Sequence, residues 1–134
     1  NCRKRLIAGY SLAGLFSLWA YYESYEQNLF HVAVSCSGSL WYPGFKEYFD
    51  RRVESGARRS HPGYIYLSLG DQEARTKNRQ MSQVEAITRY VDEKLEKDPG
   101  VCGHIFELNP GGHFADNGIR MAKGIAWALE QEKL

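Results

Sequence analysis

Cysteine is sparse in this sequence: Cys2, Cys36 and Cys102 are three, an odd number at spacings that fit neither a disulfide framework nor a zinc site. Reduced thiols, and with them a cytoplasmic setting, are the expectation. Charge of one sign is missing too. Lys and Arg number 17 against 16 Asp and Glu, the formal charge is +1, and the cations are scattered. That balance excludes the concentrated basic face that nucleic acids and membrane surfaces require. No stretch approaches the roughly 18 apolar residues of a membrane span, and no signal-peptide pattern opens the chain. Internal repeats, low-complexity tracts and interdomain linkers are absent, so 134 residues of average composition read as one domain, 1–134. The prolines are few, and Pro43, Pro62, Pro99 and Pro110 all fall between periodic segments.

What remains alternates between two periodicities. Short apolar runs at 6–9, 30–36, 64–69 and 104–108 read as buried strands. Between and after them, 12 to about 25, 46–54, 79–96 and 115–132 read as helices. The first helix has Leu12, Leu15, Phe16, Trp19 and Ala20 at helical spacing, and the third has Met81, Val84, Ile87, Val91 and Leu95. The last is expected to bury Ile119, Met121, Ala122, Ile125, Ala126 and Leu129. Cys36 and Cys102, on strands, are expected to be buried small apolar groups. Strand and helix in alternation predict an α/β fold: a mainly parallel sheet between helices, three layers αβα.

The first strand meets the first helix through Gly9-Tyr10-Ser11-Leu12-Ala13-Gly14. This is a G-x-S-x-G elbow with alanine in place of the second glycine. A serine at such a turn is held in a strained conformation that pushes its hydroxyl out of the sheet, and small neighbours are needed where strand and helix pass close to it. Two further polar groups stand in equivalent places: Asp71 or Glu73 after the third strand, and His113 after the fourth. Loops at the carboxyl ends of parallel strands emerge on one edge of the sheet, so these groups are expected to converge. Ser, acid, His is the chain order of the α/β-hydrolases. The chemistry fits those residue types, because a serine hydroxyl becomes a nucleophile only when a histidine takes its proton, and a carboxylate orients that histidine.

From the elbow onward the chain resembles the carboxyl-terminal half of serine esterases of the α/β-hydrolase fold, the group that includes siderophore esterases, feruloyl esterases and S-formylglutathione hydrolase. Gly9 to Gly14, Ser37-Gly38-Ser39-Leu40-Trp41, Gly70-Asp71-Gln72-Glu73 and Gly111-Gly112-His113 carry the resemblance. It implies Ser11 as nucleophile, His113 as base, Glu73 as the acid with Asp71 second, and the N–H of Leu12 as an oxyanion donor. It implies a small-molecule ester substrate, with no cofactor and no metal. It also implies strands and an oxyanion loop ahead of the elbow that these residues do not supply, hence impaired turnover and an open sheet edge inviting a homo-oligomer. Tyr10, Trp41 and Tyr42 are candidates to contact substrate, although aromatic side chains equally fill the gap between helix and sheet. His31, His61 and His104 are expected to be structural or solvated. A second class of function stays open: a catalytically silent fragment acting as an oligomerisation or binding module.

Overall fold

The computed structural model describes residues 2–57 and 60–131. Four strands, β1 (Leu6–Tyr10), β2 (Val32–Cys36), β3 (Gly63–Gly70) and β4 (Val101–Asn109), form one sheet in the order β1-β2-β3-β4, every neighbouring pair parallel. Helices α1 (Leu12–Glu23), α2 (Phe45–Glu54), α3 (Val84–Leu95) and α4 (Asn117–Glu130) complete the alternation, with a short 3-10 turn at Met81–Gln83 leading into α3. The pleat sorts the central strands between two cores. Ala33, Ile65 and Leu67 pack with Leu18, Tyr21 and Tyr22 of α1, Phe45 and Phe49 of α2, and Val91 and Leu95 of α3. Val32, Val34, Cys36 and Tyr66 face the other way, against Ala128 of α4. The layers are therefore αβα, as the alternating pattern predicts.

Two helices bury a different face from the one their apolar spacing suggests. On α1 the buried residues are Gly14, Ser17, Leu18, Ala20, Tyr21 and Tyr22, whereas Leu12, Phe16 and Trp19 are exposed. That helix is apolar on nearly every side, so spacing alone cannot choose its inner face. Its small residues choose instead. The Ser17 hydroxyl bonds the Val34 carbonyl at 3.2 Å, and the Ser35 hydroxyl bonds the Gly14 carbonyl at 2.9 Å, which draws α1 onto β2. On α4 the buried residues are Arg120, Gly124 and Ala128. Ile119 and Leu129 are 64% and 60% exposed, Ala122 and Ala126 are exposed, and Met121 and Ile125 are half-buried. A Cβ at Gly124 would stand 2.5 Å from Val34 Cγ1, so α4 approaches the sheet where it has no side chain.

Cys36 is buried, and burial pushes its thiol pKa up, in keeping with an inert apolar role. Cys102 is exposed, contrary to expectation, because β4 is an edge strand with part of its surface open to solvent. His104 on the same strand bridges Asp92 and Glu96 of α3 and the turn after it, at 2.7 and 2.8 Å. Among the described residues no helix is long and apolar enough to cross a membrane.

The tight seat of α4 makes Gly124 a stability test. Gly124→Leu is expected to lower the free energy of unfolding by about 1–3 kcal/mol through overpacking against Val34 and Tyr66. A urea midpoint that does not fall would show that α4 has room to move.

Candidate active site

Ser11 sits between β1 and α1 at φ 61° and ψ −122°, a conformation that a residue with a Cβ adopts only when its surroundings enforce it. Those surroundings are backbone atoms. The Ser11 N–H donates to the Cys36 carbonyl at 2.9 Å, and its own carbonyl accepts from Gly14, Leu15 and Ser39 at 2.9, 3.2 and 3.0 Å. Small neighbours permit this crowding. A Cβ at Gly9 would lie 1.9 Å from the Ala13 carbonyl oxygen, and one at Gly14 would lie 2.9 Å from Gly38 Cα. Position 13 tolerates alanine because its side chain is exposed.

The loop after β4 carries His113, and Gly111 within it takes φ 108°, where a side chain would be strained. His113 Nε2 lies 2.9 Å from Ser11 Oγ, and its Nδ1 lies 2.6 Å from Glu73 Oε1. With the carboxylate as acceptor, Nδ1 carries the proton and Nε2 is left to accept the serine hydroxyl. Glu73 is removed from water, its side chain 3% exposed, while that of His113 is 31% exposed. The second oxygen of Glu73 accepts from the Gly70 N–H at 2.6 Å and the Ser37 hydroxyl at 2.5 Å, with Arg120 at 3.6 Å. The turn Gly70-Asp71-Gln72-Glu73 folds back on itself through Glu73 N–H to the Gly70 carbonyl, so the carboxylate reaches behind its own strand end.

Asp71 occupies a different place. It is exposed and accepts from the Gly111 N–H at 2.9 Å, clipping the start of the histidine loop without touching the imidazole. Leu12 opens α1, where an N–H has no intrahelical carbonyl to bond, and Ser11 beside it lines a cleft. That cleft has a volume of about 110 Å³ and is lined by Ser11, Ser39, Trp41, Met81, Val84 and His113 among others. Tyr42 lies outside it, half exposed, in a neighbouring apolar cavity of about 360 Å³ that begins at Leu12 and runs over Leu15, Phe16 and Trp19. Tyr10 lines neither cavity. Its hydroxyl donates to the His113 carbonyl and accepts from Arg120 Nη1 at 3.0 Å, so it braces the histidine from behind.

Residue patterns give no role to Arg120, and none to Ser37 beyond its motif. Ser37 had one available signal, a small polar residue at a strand end, where it takes φ 46°. Arg120 had a weaker one, a single cation in register with Gly124 and Ala128 on a small-residue helix face.

Solved structures share this fold. Siderophore hydrolase EstB from Aspergillus nidulans superposes with a TM-score of 0.73 at 18% identity, over 98% of this chain and 51% of that one. Siderophore hydrolase EstA from the same fungus gives 0.72 at 20% identity, over 93% and 47%. The chain has the α/β-hydrolase fold. A third match with that fold, an IroE-like serine hydrolase from Shewanella oneidensis, gives 0.66 at 19% identity over 90% of this chain and 38% of that one. The chain thus spans about half the length of the fungal hydrolases and less of the bacterial one. No protein-family model matches it, and no curated protein does.

Within this α/β-hydrolase arrangement Asp71 and Glu73 are separable by stability. Asp71→Ala removes one exposed hydrogen bond and is expected to cost about 1 kcal/mol in chemical denaturation. Glu73→Ala strips the Ser37 hydroxyl of its acceptor and the buried Arg120 of its counter-charge, and is expected to cost about 3 kcal/mol or more. Equal losses would mean that Glu73 is not the buried anchor of the cluster.

Proposed function

We propose that this chain is the nucleophile-bearing part of a serine hydrolase acting on carboxylic esters. The observation that carries the reading is the hydrogen-bonded series Ser11–His113–Glu73 behind a strained serine turn. In the proposed reaction Ser11 Oγ attacks the ester carbonyl while His113 Nε2 takes its proton. Glu73 holds the imidazole in the tautomer that makes Nε2 the base and stabilises the imidazolium. The N–H of Leu12 donates to the developing oxyanion. His113 then protonates the departing alkoxide, leaving an acyl group on Ser11, and water activated by the same imidazole releases the acid. The cleft beside Trp41 and the apolar cavity beyond Tyr42 give the ester's acyl and alcohol parts two places to lie. The siderophore hydrolases and the IroE-like serine hydrolase that share the fold support hydrolysis as the kind of reaction.

A second oxyanion donor is expected from a loop ahead of β1, by the resemblance to complete α/β-hydrolases. Hydrolysis of p-nitrophenyl acetate by this chain is therefore expected to be slow, lower by about 10² to 10³ than with that donor in place. A fluorophosphonate probe is expected to modify Ser11 alone among the serines, with the adduct located by mass mapping. His113→Ala should abolish labelling. Glu73→Gln should slow it by up to about 10⁴, because the imidazole loses its orientation, while Asp71→Asn should be nearly silent. A probe that ignores Ser11 overturns the hydrolase reading.

Association belongs to the same proposal. Among the described residues β1 has a strand neighbour on one side only, and Leu12, Phe16 and Trp19 of the following helix are exposed. Open edges of this kind pair readily, and a second copy of the chain is the proposed occupant. Light scattering at high micromolar concentration is expected to give more than the 15.3 kDa of one chain. A monomer would refute it.

A further inference from the structure

Arg120 is among the largest fully buried side chains of the protein, 2% exposed, and its Nε has no hydrogen-bond partner. Burying a guanidinium costs several kcal/mol before any partner offsets it, and an unpartnered buried N–H adds to that cost. An apolar side chain of similar length would fill the space between α4 and the sheet more cheaply. The charge is therefore retained for something other than packing, and its contacts say what. Nη2 lies 3.6 Å from Glu73 Oε2 and donates to the Ser37 hydroxyl, which itself donates to the same carboxylate oxygen. Nη1 donates to the Tyr10 hydroxyl at 3.0 Å and to the Ala115 carbonyl at 3.4 Å. The Tyr10 hydroxyl in turn donates to the His113 carbonyl, and Ala115 is two residues beyond that histidine.

We propose that Arg120 is a positioning residue of the site: one buried guanidinium fixes Glu73 from one side and the backbone of the His113 loop from the other. The two arms of its planar fork reach both elements, the turn after β3 and the loop after β4. Asp71 and Gln72 already tie the start of that loop to the turn through Asn109 and Gly111, whereas Arg120 reaches the loop at His113, through Tyr10, and at Ala115 beyond it. The hydrogen bond from His113 Nδ1 to Glu73 therefore depends on a residue that touches neither Ser11 nor the cleft. Glu107 is the other carboxylate within the field of Arg120, but its own close partners are Lys123 and Tyr66. This inference rests on the hydrolase reading for its kinetic consequence and on geometry alone for its structural one.

The test uses Arg120→Met, which keeps length and loses charge, and Arg120→Lys, which keeps charge. In both, Ser11 labelling by a fluorophosphonate is timed, and the hydrogen-bonded His113 Nδ1 proton is observed by NMR. Arg120→Met is expected to slow labelling by about 10- to 100-fold, as loss of an outer partner commonly does, and to remove the Nδ1 proton signal by exchange with water. Arg120→Lys should recover part of both, since a single ammonium can hold Glu73 or the His113 loop but cannot fork to the two together. In a Glu73→Gln background, Arg120→Met should change labelling by less than about twofold, because coupled residues are not additive. Wild-type labelling with an unchanged His113 signal in Arg120→Met overturns the proposal, and so do effects that multiply in the double variant. Should Arg120→Met fail to fold, a fully wild-type rate and His113 signal in Arg120→Lys would overturn it equally, because the fork would then be dispensable. If Ser11 takes no label in any variant while the His113 signal still depends on Arg120, the hydrolase reading falls and the positioning role stands.

Discussion

A carboxylate taken out of water needs donors in place of the water it has lost. Glu73 finds them in the Gly70 N–H at the end of β3, the Ser37 hydroxyl just after β2 and His113 in the loop after β4, with Arg120 of α4 as a counter-charge at 3.6 Å. Pulling any of these elements away leaves a buried polar group unpaired, which costs more than the hydrogen bond itself contributes. The cluster thus acts as a clamp on one edge of the sheet. It joins the imidazole, the turn after β3 and, through Ser37, Arg120 of α4 in one hydrogen-bonded group.

The clamp works because the parallel sheet has already brought its members together. Each strand is followed by a return to the opposite edge, so every carboxyl-end loop opens on the same side. Residues separated by about a hundred positions in sequence then lie within a hydrogen bond of one another, as Ser11 and His113 do. The fold is shared with the siderophore hydrolases, whose identity to this chain is 20% and 18%. At that level of identity the shared feature is the fold, and the chemistry has to be argued from the side chains.

Tight backbone approaches are the second constraint. Gly9 against Ala13, Gly14 against Gly38 and Gly124 against Val34 are places where a side chain would collide. Each lets a helix sit closer to the sheet than ordinary side chains allow, and at the first two the closeness holds Ser11 in its strained turn. A strained residue persists only when its surroundings over-determine it, and here four backbone hydrogen bonds do so. Where α1 and α4 touch the sheet most closely the contact residues are Gly14, Ser17 and Gly124, and Phe16, Trp19, Ile119 and Leu129 stay outside.

The sequence by itself determined the elements, their order, the parallel sheet and the three loops from which Ser11, Glu73 and His113 come, because strand and helix periods and glycine turns are local signals. It left two acids open, since Asp71 and Glu73 stand two residues apart on one turn and only the fold of that turn sends one inward to His113 and the other outward to Gly111. It misplaced the buried faces of α1 and α4, because apolar spacing measures hydrophobicity whereas the close approach of these helices to the sheet is set at Gly14, Ser17 and Gly124. Tyr10 looked like a substrate contact from its place beside Ser11, yet its hydroxyl turns toward His113 and Arg120. Arg120 itself was invisible. A cation on a helix reads as solvated until the tertiary structure supplies a buried carboxylate to meet it, and that meeting depends on contacts between residues far apart in the chain, which no local pattern encodes.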